Sequence, residues 1–340
     1  MQRLKLLLLF GGESPEHDVS ISSTRNIYAA LDDQKYDIML GYIARDGKWW
    51  LVNDIDILAE HHHAQLVPVL GTAQFTTEPL GKNIQPDVIL PILHGANGED
   101  GSVQGLGQLM HIPMVGCGVL SSAMCMDKDV TKRLLKAANL PIVEYAVHDS
   151  HQPLPDFAHL TLQLGNPLFI KPANLGSSVG VSKVTTKEEF VRALEIAQQH
   201  DSKILIEQAI QGRELECAVL GNHQPEASVV GEVKADQDFY SYDAKYDPHS
   251  QTHIVIPAEL PPDVSEKIRH IAVQAYQTLE CRGLARVDFF LTEDNQLYIN
   301  EINTLPGFTN ISMYPKLWRA SGLNYPALID RLIELAIEKR

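Results

Sequence analysis

Short apolar runs alternate with helical periodicity in the first third of the chain. Leu4 to Phe10 is a continuous apolar strand, Tyr36 to Ala44 a second and Asp87 to Leu93 a third. Ser20 to Leu31 and Val103 to Met110 have helical spacing, and Pro113 to Gly116 reads as a short strand. That βαβ rhythm predicts a parallel sheet with ligands at strand C-termini, where Gly11-Gly12 and His94-Gly95 fall. Trp49 to Gly81 has no clear period and reads as irregular. Val130, Leu134 and Ala137-Ala138 predict one long helix from about Ser122 to Asn139, stopped by Pro141. His148 to Asp156 is loop-like in composition. Strands then follow at Pro167 to Lys171, Val179 to Val184 and Lys203 to Gln208, around a helix that Thr186-Lys-Glu-Glu189 caps and that runs to about Gln199. This predicts an α+β module of antiparallel strands. Strands Glu214 to Leu220 and Ser228 to Val233, a helix from Asp263 to Glu280 and a C-terminal helix from about Tyr325 complete the chain. The polar stretch Lys234 to Thr252, with Tyr240, Tyr242 and Tyr246, is a long loop of the functional or disordered kind.

Leu284 to Leu291 and Leu297 to Ile302 read as a hairpin. With Asp294-Asn295 as a two-residue loop, Asp288 faces Glu301 and Arg286 faces Asn303. Two opposed carboxylates repel, so a cation between them is expected. Mg²⁺ suits carboxylate and amide oxygens and shares itself with phosphates. An exposed acidic hairpin is the bland alternative; apolar residues on its other face weigh against it.

A formal net charge of −15 excludes a general nucleic-acid binder, and any anionic ligand needs a local cluster of cations. Length allows two or three domains in the 340 residues. Cys117, Cys125, Cys217 and Cys281 show no disulfide or CxxC spacing, as expected of a reducing cytoplasm. Met1 to Phe10 is too short for a signal peptide, and no apolar run is long enough to span a membrane.

Lys171-Pro-Ala-Asn-Leu-Gly176-Ser177-Ser178-Val-Gly180 offers backbone N–H groups, hydroxyls and a charge to phosphate, although a plain turn is its alternative. It lacks the Walker pattern. Lys128 alone is an ordinary surface lysine. Glu207, closing an apolar strand, and Glu214 are candidates for nucleoside contacts, or two surface glutamates. His94-Gly-Ala-Asn-Gly98-Glu99-Asp100-Gly101 places a histidine at a strand end beside two acids. His61-His62-His63 has no partner cluster and is not read as a metal site.

Taken in order, Phe10-Gly-Gly-Glu-Ser-Pro-Glu16-His-Asp-Val-Ser20, the His94 to Gly101 segment, Asp127-Lys128, the Lys171 to Gly180 loop, Tyr242-Asp-Ala-Lys245-Tyr246, Arg286-Val-Asp288 and Glu301-Ile-Asn303-Thr-Leu-Pro-Gly307 resemble the D-alanine–D-alanine ligases of the ATP-grasp superfamily. The resemblance covers nearly the whole chain. It implies an N-terminal parallel α/β (Rossmann-like) domain over residues 1–122, and two β-rich ATP-grasp modules over 123–210 and 211–340 that enclose ATP. A lid is implied at 234–252.

The same resemblance implies roles. Lys128, Lys171 and Lys245 contact phosphates, which the Gly176-Ser177-Ser178 loop covers. Glu207, Gln208, Ala209 and Ile210 edge the adenine, and Glu214 meets the ribose. Asp288, Glu301 and Asn303 hold two Mg²⁺ or Mn²⁺. Glu16 takes the ammonium of the first D-alanine near His94, in a hydrogen-bonded set with Ser177 and Tyr246. Arg286 and the Gly307 N–H hold the oxyanion, and Ser312 with Met313 the second carboxylate. The implied product is D-alanyl-D-alanine for peptidoglycan, made in the cytoplasm by a homodimer. The rivals are a ligase taking D-lactate or D-serine second, which Tyr246 opposes for lactate, and a nucleotide-binding regulator without turnover.

Overall fold

The computed structural model describes residues 3–58, 64–234, 253–309 and 311–338. Tyr240, Tyr242, Lys245, Tyr246, nearly all of the expected lid and His61-His62-His63 lie outside them.

The first sheet has seven strands in the order β6-β5-β4-β3-β2-β1-β7. β1 (Leu4–Gly11) is fully buried from Leu6 onward and pairs in parallel with β2 (Tyr36–Ile43) and β7 (Val88–Ile92). Such a strand needs apolar residues on both faces, which the leucine run supplies. Only this part is parallel. β3 (Trp49–Val52), β4 (Ala64–Val69), β5 (Gln74–Glu78) and β6 (Asn83–Ile84) continue the sheet antiparallel through the stretch expected to be irregular. They are short, and one contains Pro68, so run length did not mark them.

Helix α1 (His17–Ala30) begins three residues before the expected Ser20, and α2 spans Ser102–Leu109. Pro113 to Gly116 makes only a bridge, Met114 to Ile89. The single helix expected from Ser122 is two, α3 (Val119–Met126) and α4 (Lys128–Ala137). Asp127 between them is extended, its carboxylate caps Asp129 and Val130 N–H, and the Lys128 N–H donates to Ala173 O instead. An N-cap of this kind starts a new helix rather than continuing the old one.

The second sheet runs β10-β9-β11-β8, from β8 (Tyr145–Asp149), β9 (Leu168–Pro172), β10 (Ser182–Val184) and β11 (Lys203–Gln208). β8 thus takes in His148 and Asp149, expected in a loop, and β10 starts three residues later than Val179. Helix α5 (Phe157–Leu164), unforeseen, starts at the Asp156 cap. Helix α6 (Lys187–Gln198) has the expected capping box. Ile204 and Ile206 pack against α5 and α6, which leaves Leu205, Glu207 and Lys171 on the other face.

The third sheet runs β14-β13-β12-β15-β16, from β12 (Arg213–Leu220), β13 (Glu226–Lys234), β14 (His253–Val255), β15 (Leu284–Leu291) and β16 (Leu297–Asn303). Helix α7 (Pro262–Thr278) packs on one side. Helices α8 (Met313–Ala320) and α9 (Tyr325–Ile337) end the chain. Helix α8 packs on β12 and β13 of its own sheet, but α9 crosses to α1 and β7. Leu328, Ile329 and Leu332 of α9 share one buried cluster with Leu6 and Ile27 of the first unit and Val233 of the third.

Asp288 pairs with Glu301 and Arg286 with Asn303, as the two-residue loop required, yet that loop is wrong. Leu291 pairs with Leu297, which leaves five residues in the turn, with Asn295 at φ 60°. An extra residue, Asn300, then restores the register: Phe289 faces Ile299 while Asp288 faces Glu301. This bulge decides which way the acids point. Leu297 and Ile299 are buried, and strict alternation would bury Glu301 beside them. One added residue turns Glu301 and Asn303 to the opposite face and buries Ile302 instead.

Candidate active site

The third sheet, with helix ends and loops that flank the other two, borders one cleft of about 1080 Å³. Of the residues expected to act, Glu16, His94, Lys128, Gly176, Ser177, Glu214, Arg286, Asp288, Glu301, Asn303, Gly307, Ser312 and Met313 line it. Lys171, Ser178, Glu207, Gln208, Ala209 and Ile210 do not. Lys245 and Tyr246 are outside the described residues.

On the third sheet, Glu216 of β12, Asp288 of β15 and Glu301 of β16 lie side by side. Three carboxylates in a row need cations. Arg286 supplies one, as its Nε and Nη2 each donate to Asp288 at 2.7 Å and its Nε lies 2.8 Å from Glu216. Burial opposes the guanidinium charge, but Asp288 and Glu216 outweigh it and hold its pKa well up. Lys128 Nζ stands 3.8 Å from Glu301 and donates to Leu175 O at 2.5 Å. Among the described residues no group of three or more His, Cys, Asp or Glu forms a ready-made metal site. Asp288, Glu301 and Asn303 are two acids and an amide, an oxygen-only set that suits a hard cation sharing phosphate oxygens. Glu216 was missed: alternation in β12 puts it on the face of Glu214, and the pairing with β15 sets it beside Asp288, a neighbour the sequence alone does not show.

At the opposite wall, Ser177 Oγ donates to Glu16 Oε1 at 2.5 Å, which ties the first unit to the glycine loop. Ser177 and Ser178 have φ of 52° and 60°, so this turn of the loop is left-handed without glycine. Buried His94 approaches Glu99 at 3.7 Å and bonds Leu305 O through Nδ1 at 3.1 Å. Burial works against its charge, but Glu99 and then Glu16 outweigh burial and raise its pKa. Glu99 was quoted in the His94 segment but given no role.

Behind the cleft, Lys171 meets Glu207 at 2.7 Å, and Lys132 reaches the other Glu207 oxygen at 3.1 Å. Glu207 is therefore a buried ion-pair partner and its carboxylate does not edge the cleft. Lys132 was missed, although it lies one helical turn from Lys128.

Gly307 sits in the loop before α8. A Cβ there would lie 2.8 Å from Ser312 Oγ, which accepts the Thr309 N–H at 2.9 Å. A side chain there would displace the Ser312 hydroxyl from the turn, and the loop brings the α8 N-terminus to the cleft at Met313.

Two family models match, one described as the D-ala D-ala ligase N-terminus over residues 5–117 and one as its C-terminus over 134–334. The chain is 49% identical to D-alanine–D-alanine ligase A of Escherichia coli K12, over 100% of this chain and 97% of that one. A D-alanine–D-alanine ligase of Proteus mirabilis is 48% identical over 99% and 96%. Among solved structures, the D-alanine–D-alanine ligase of Coxiella burnetii superposes with TM-score 0.88 at 38% identity, over 99% of this chain and 95% of that one. A D-Ala:D-Ser ligase of Enterococcus faecalis gives 0.90 at 34%, over 99% and 100%.

Proposed function

Because the chain belongs to the D-alanine–D-alanine ligase family, we propose that its cleft is where ATP and two D-alanines meet. The reaction is the ATP-dependent joining of two D-alanines for peptidoglycan synthesis. One observation carries the placement: Glu16 at the start of α1, Ser177 in the loop between β9 and β10, and the Arg286-Asp288-Glu301 group on the third sheet border a single cavity.

A carboxylate resists attack by an amine. The γ-phosphoryl group passes to the carboxylate of the first D-alanine, giving an acyl phosphate and ADP. The amine of the second then attacks the carbonyl, and phosphate leaves. In this reading Glu16, held by Ser177, takes the ammonium of the first D-alanine, with His94 nearby. Lys128 and Lys171 balance phosphate charge under the Gly176-Ser177-Ser178 loop. Gln208, Ala209 and Ile210 offer backbone to the adenine, and Glu214 its carboxylate to the ribose. Arg286 spends Nε and Nη2 on carboxylates, so Nη1 and the Gly307 N–H are the donors for the oxyanion. Ser312 and Met313, at the positive end of α8, take the second carboxylate. Lys245 and Tyr246, outside the described residues, complete the set, and a lid function for 234–252 is part of the same reading. Asp288, Glu301 and Asn303 would hold two Mg²⁺ or Mn²⁺, which neutralise charge on the transferring phosphates.

The same reading takes 1–122, 123–210 and 211–340 as three units, each built on one sheet, and a homodimer in the cytoplasm. The four thiols are free and buried, as a reducing compartment allows. No helix among the described residues is long and apolar enough to cross a membrane.

The deciding assay follows phosphate release from ATP with D-alanine, L-alanine, or D-alanine plus D-lactate or D-serine, and identifies products by mass. Release and dipeptide with D-alanine alone are expected. A mixed product formed in preference to it would replace D-alanine as the second substrate.

A further inference from the structure

Two lysines meet one buried glutamate, with a third beside them on the same helix face. Lys128 and Lys132 are one turn apart on α4 and so share a face. Lys171 and Glu207 project from the same face of β9 and β11. Glu207 is 4% exposed and the Lys132 side chain 1%. The Lys171 contact, at 2.7 Å, is a close ion pair. The Lys132 contact differs: at 3.1 Å the charges meet, but neither Lys132 Nζ nor Glu207 Oε1 is aligned for a hydrogen bond. Lys132 also lies 5.6 Å from the Tyr145 ring centroid.

A fully buried lysine whose bond to its carboxylate is poorly aligned is a costly way to fill a core. Burial, and repulsion from Lys171 and Lys128, disfavour its charge, and Glu207 alone offsets them. Two cations on one carboxylate leave a surplus of one positive charge. That surplus has a use if one of the two lysines has another anion to serve.

We propose that Lys132 is a positioning residue that keeps Glu207 neutralised while Lys171 turns to the nucleotide. This rests on the reading of Lys171 as a phosphate contact. Without bound ATP, Glu207 holds Lys171 at the back wall. When phosphates arrive, Lys171 is shared with them, and Lys132 remains on the carboxylate. Were Lys132 absent, nucleotide binding would leave Glu207 buried with its only cation drawn away, a loss typical of a broken buried pair.

The test is ATP affinity by titration calorimetry, with KM for D-alanine and thermal midpoint as controls. Lys132→Met should weaken ATP binding about a hundredfold and change KM for D-alanine by less than about threefold. Adding Glu207→Gln removes the anion that Lys132 serves. Lys132→Met/Glu207→Gln should then bind ATP as well as Glu207→Gln alone, within about threefold. This second comparison stands even if the single variant does not fold. A hundredfold loss that persists in the Glu207→Gln background overturns the proposal, as does a lowered midpoint with unchanged ATP affinity. Lys171→Met separates the two readings. If it leaves ATP affinity intact, the phosphate role of Lys171 falls; if it weakens ATP while Lys132→Met does not, only the role of Lys132 falls.

Discussion

Arg286 carries more than one duty through a single planar group. Its two outer bonds fix Asp288, and its Nε also faces Glu216. Arg286→Ala is expected to lower kcat at least a hundredfold, with the affinity for ATP held within about threefold; steady-state kinetics and calorimetry check this, and a normal kcat removes the oxyanion role. Arg286→Lys should not restore the rate, because an ammonium cannot hold a carboxylate at two points. At this scale the sequence was most legible where residue types are chemically narrow. An Arg-x-Asp and a Glu-x-Asn on facing strands announce themselves. Glu207 was less so, since nothing local separates a surface glutamate from a buried one until the strand across from it is known.

At the scale of elements, the hairpin shows how a right pairing can come from a wrong loop. A turn longer than expected and the bulge at Asn300 cancel, and the opposed residues are the same. The signal was in the sequence: apolar residues at 297, 299 and 302 change from a spacing of two to three. Deleting Asn300 should drive Glu301 toward the core and cost about 3 kcal/mol or more. Asn300→Ala, which keeps the residue, should cost far less. Urea midpoints of the two variants decide, and equal values would show that the bulge is dispensable. The Ser122 to Asn139 helix failed for a related reason. Its apolar period runs smoothly across Asp127, and the break shows in the Asp127 cap and in a distant contact, Lys128 N–H to Ala173 O just past β9.

Two neighbouring inner strands of the third sheet, β12 and β13, give a pH dependence. Arg213 holds Glu232 at two points, 2.8 and 2.7 Å. Hydrogen bonding to Arg213 outweighs burial and lowers the Glu232 pKa below its usual 4.5. A carboxyl lowered on folding adds stability above its unfolded pKa, which is lost as pH falls through the folded one. The wild-type urea midpoint should therefore drop more steeply than that of Glu232→Gln as pH falls below about 4.5. Parallel curves would deny the pair this role.

On the scale of the whole molecule, the sheets lie in chain order but the core does not. Leu332 of α9 is 2% exposed within the cluster that also holds Leu6 and Ile27. Leu332→Ala should cost about 2–5 kcal/mol and lower a single calorimetric transition. Two separated transitions would mean that the first unit folds without α9. Amphipathic periodicity placed this helix, but not its partner, because pairing between distant elements leaves no local trace. Tyr36 and Lys35 bonding to Asp330, at 2.7 and 2.6 Å, are the polar side of the same contact.

That return of the chain has a consequence for how the protein is made. The strands of the first sheet have all been made once Ile84 and Ile92 have been added, yet the helix that covers Leu6 and Ile27 is translated last among its elements. At roughly 5–20 residues per second the nascent protein waits on the order of ten to fifty seconds with an oily face bare. A chaperone that shields apolar surface has its natural client in that interval, and a message cut short before Tyr325 would yield a product that never leaves it.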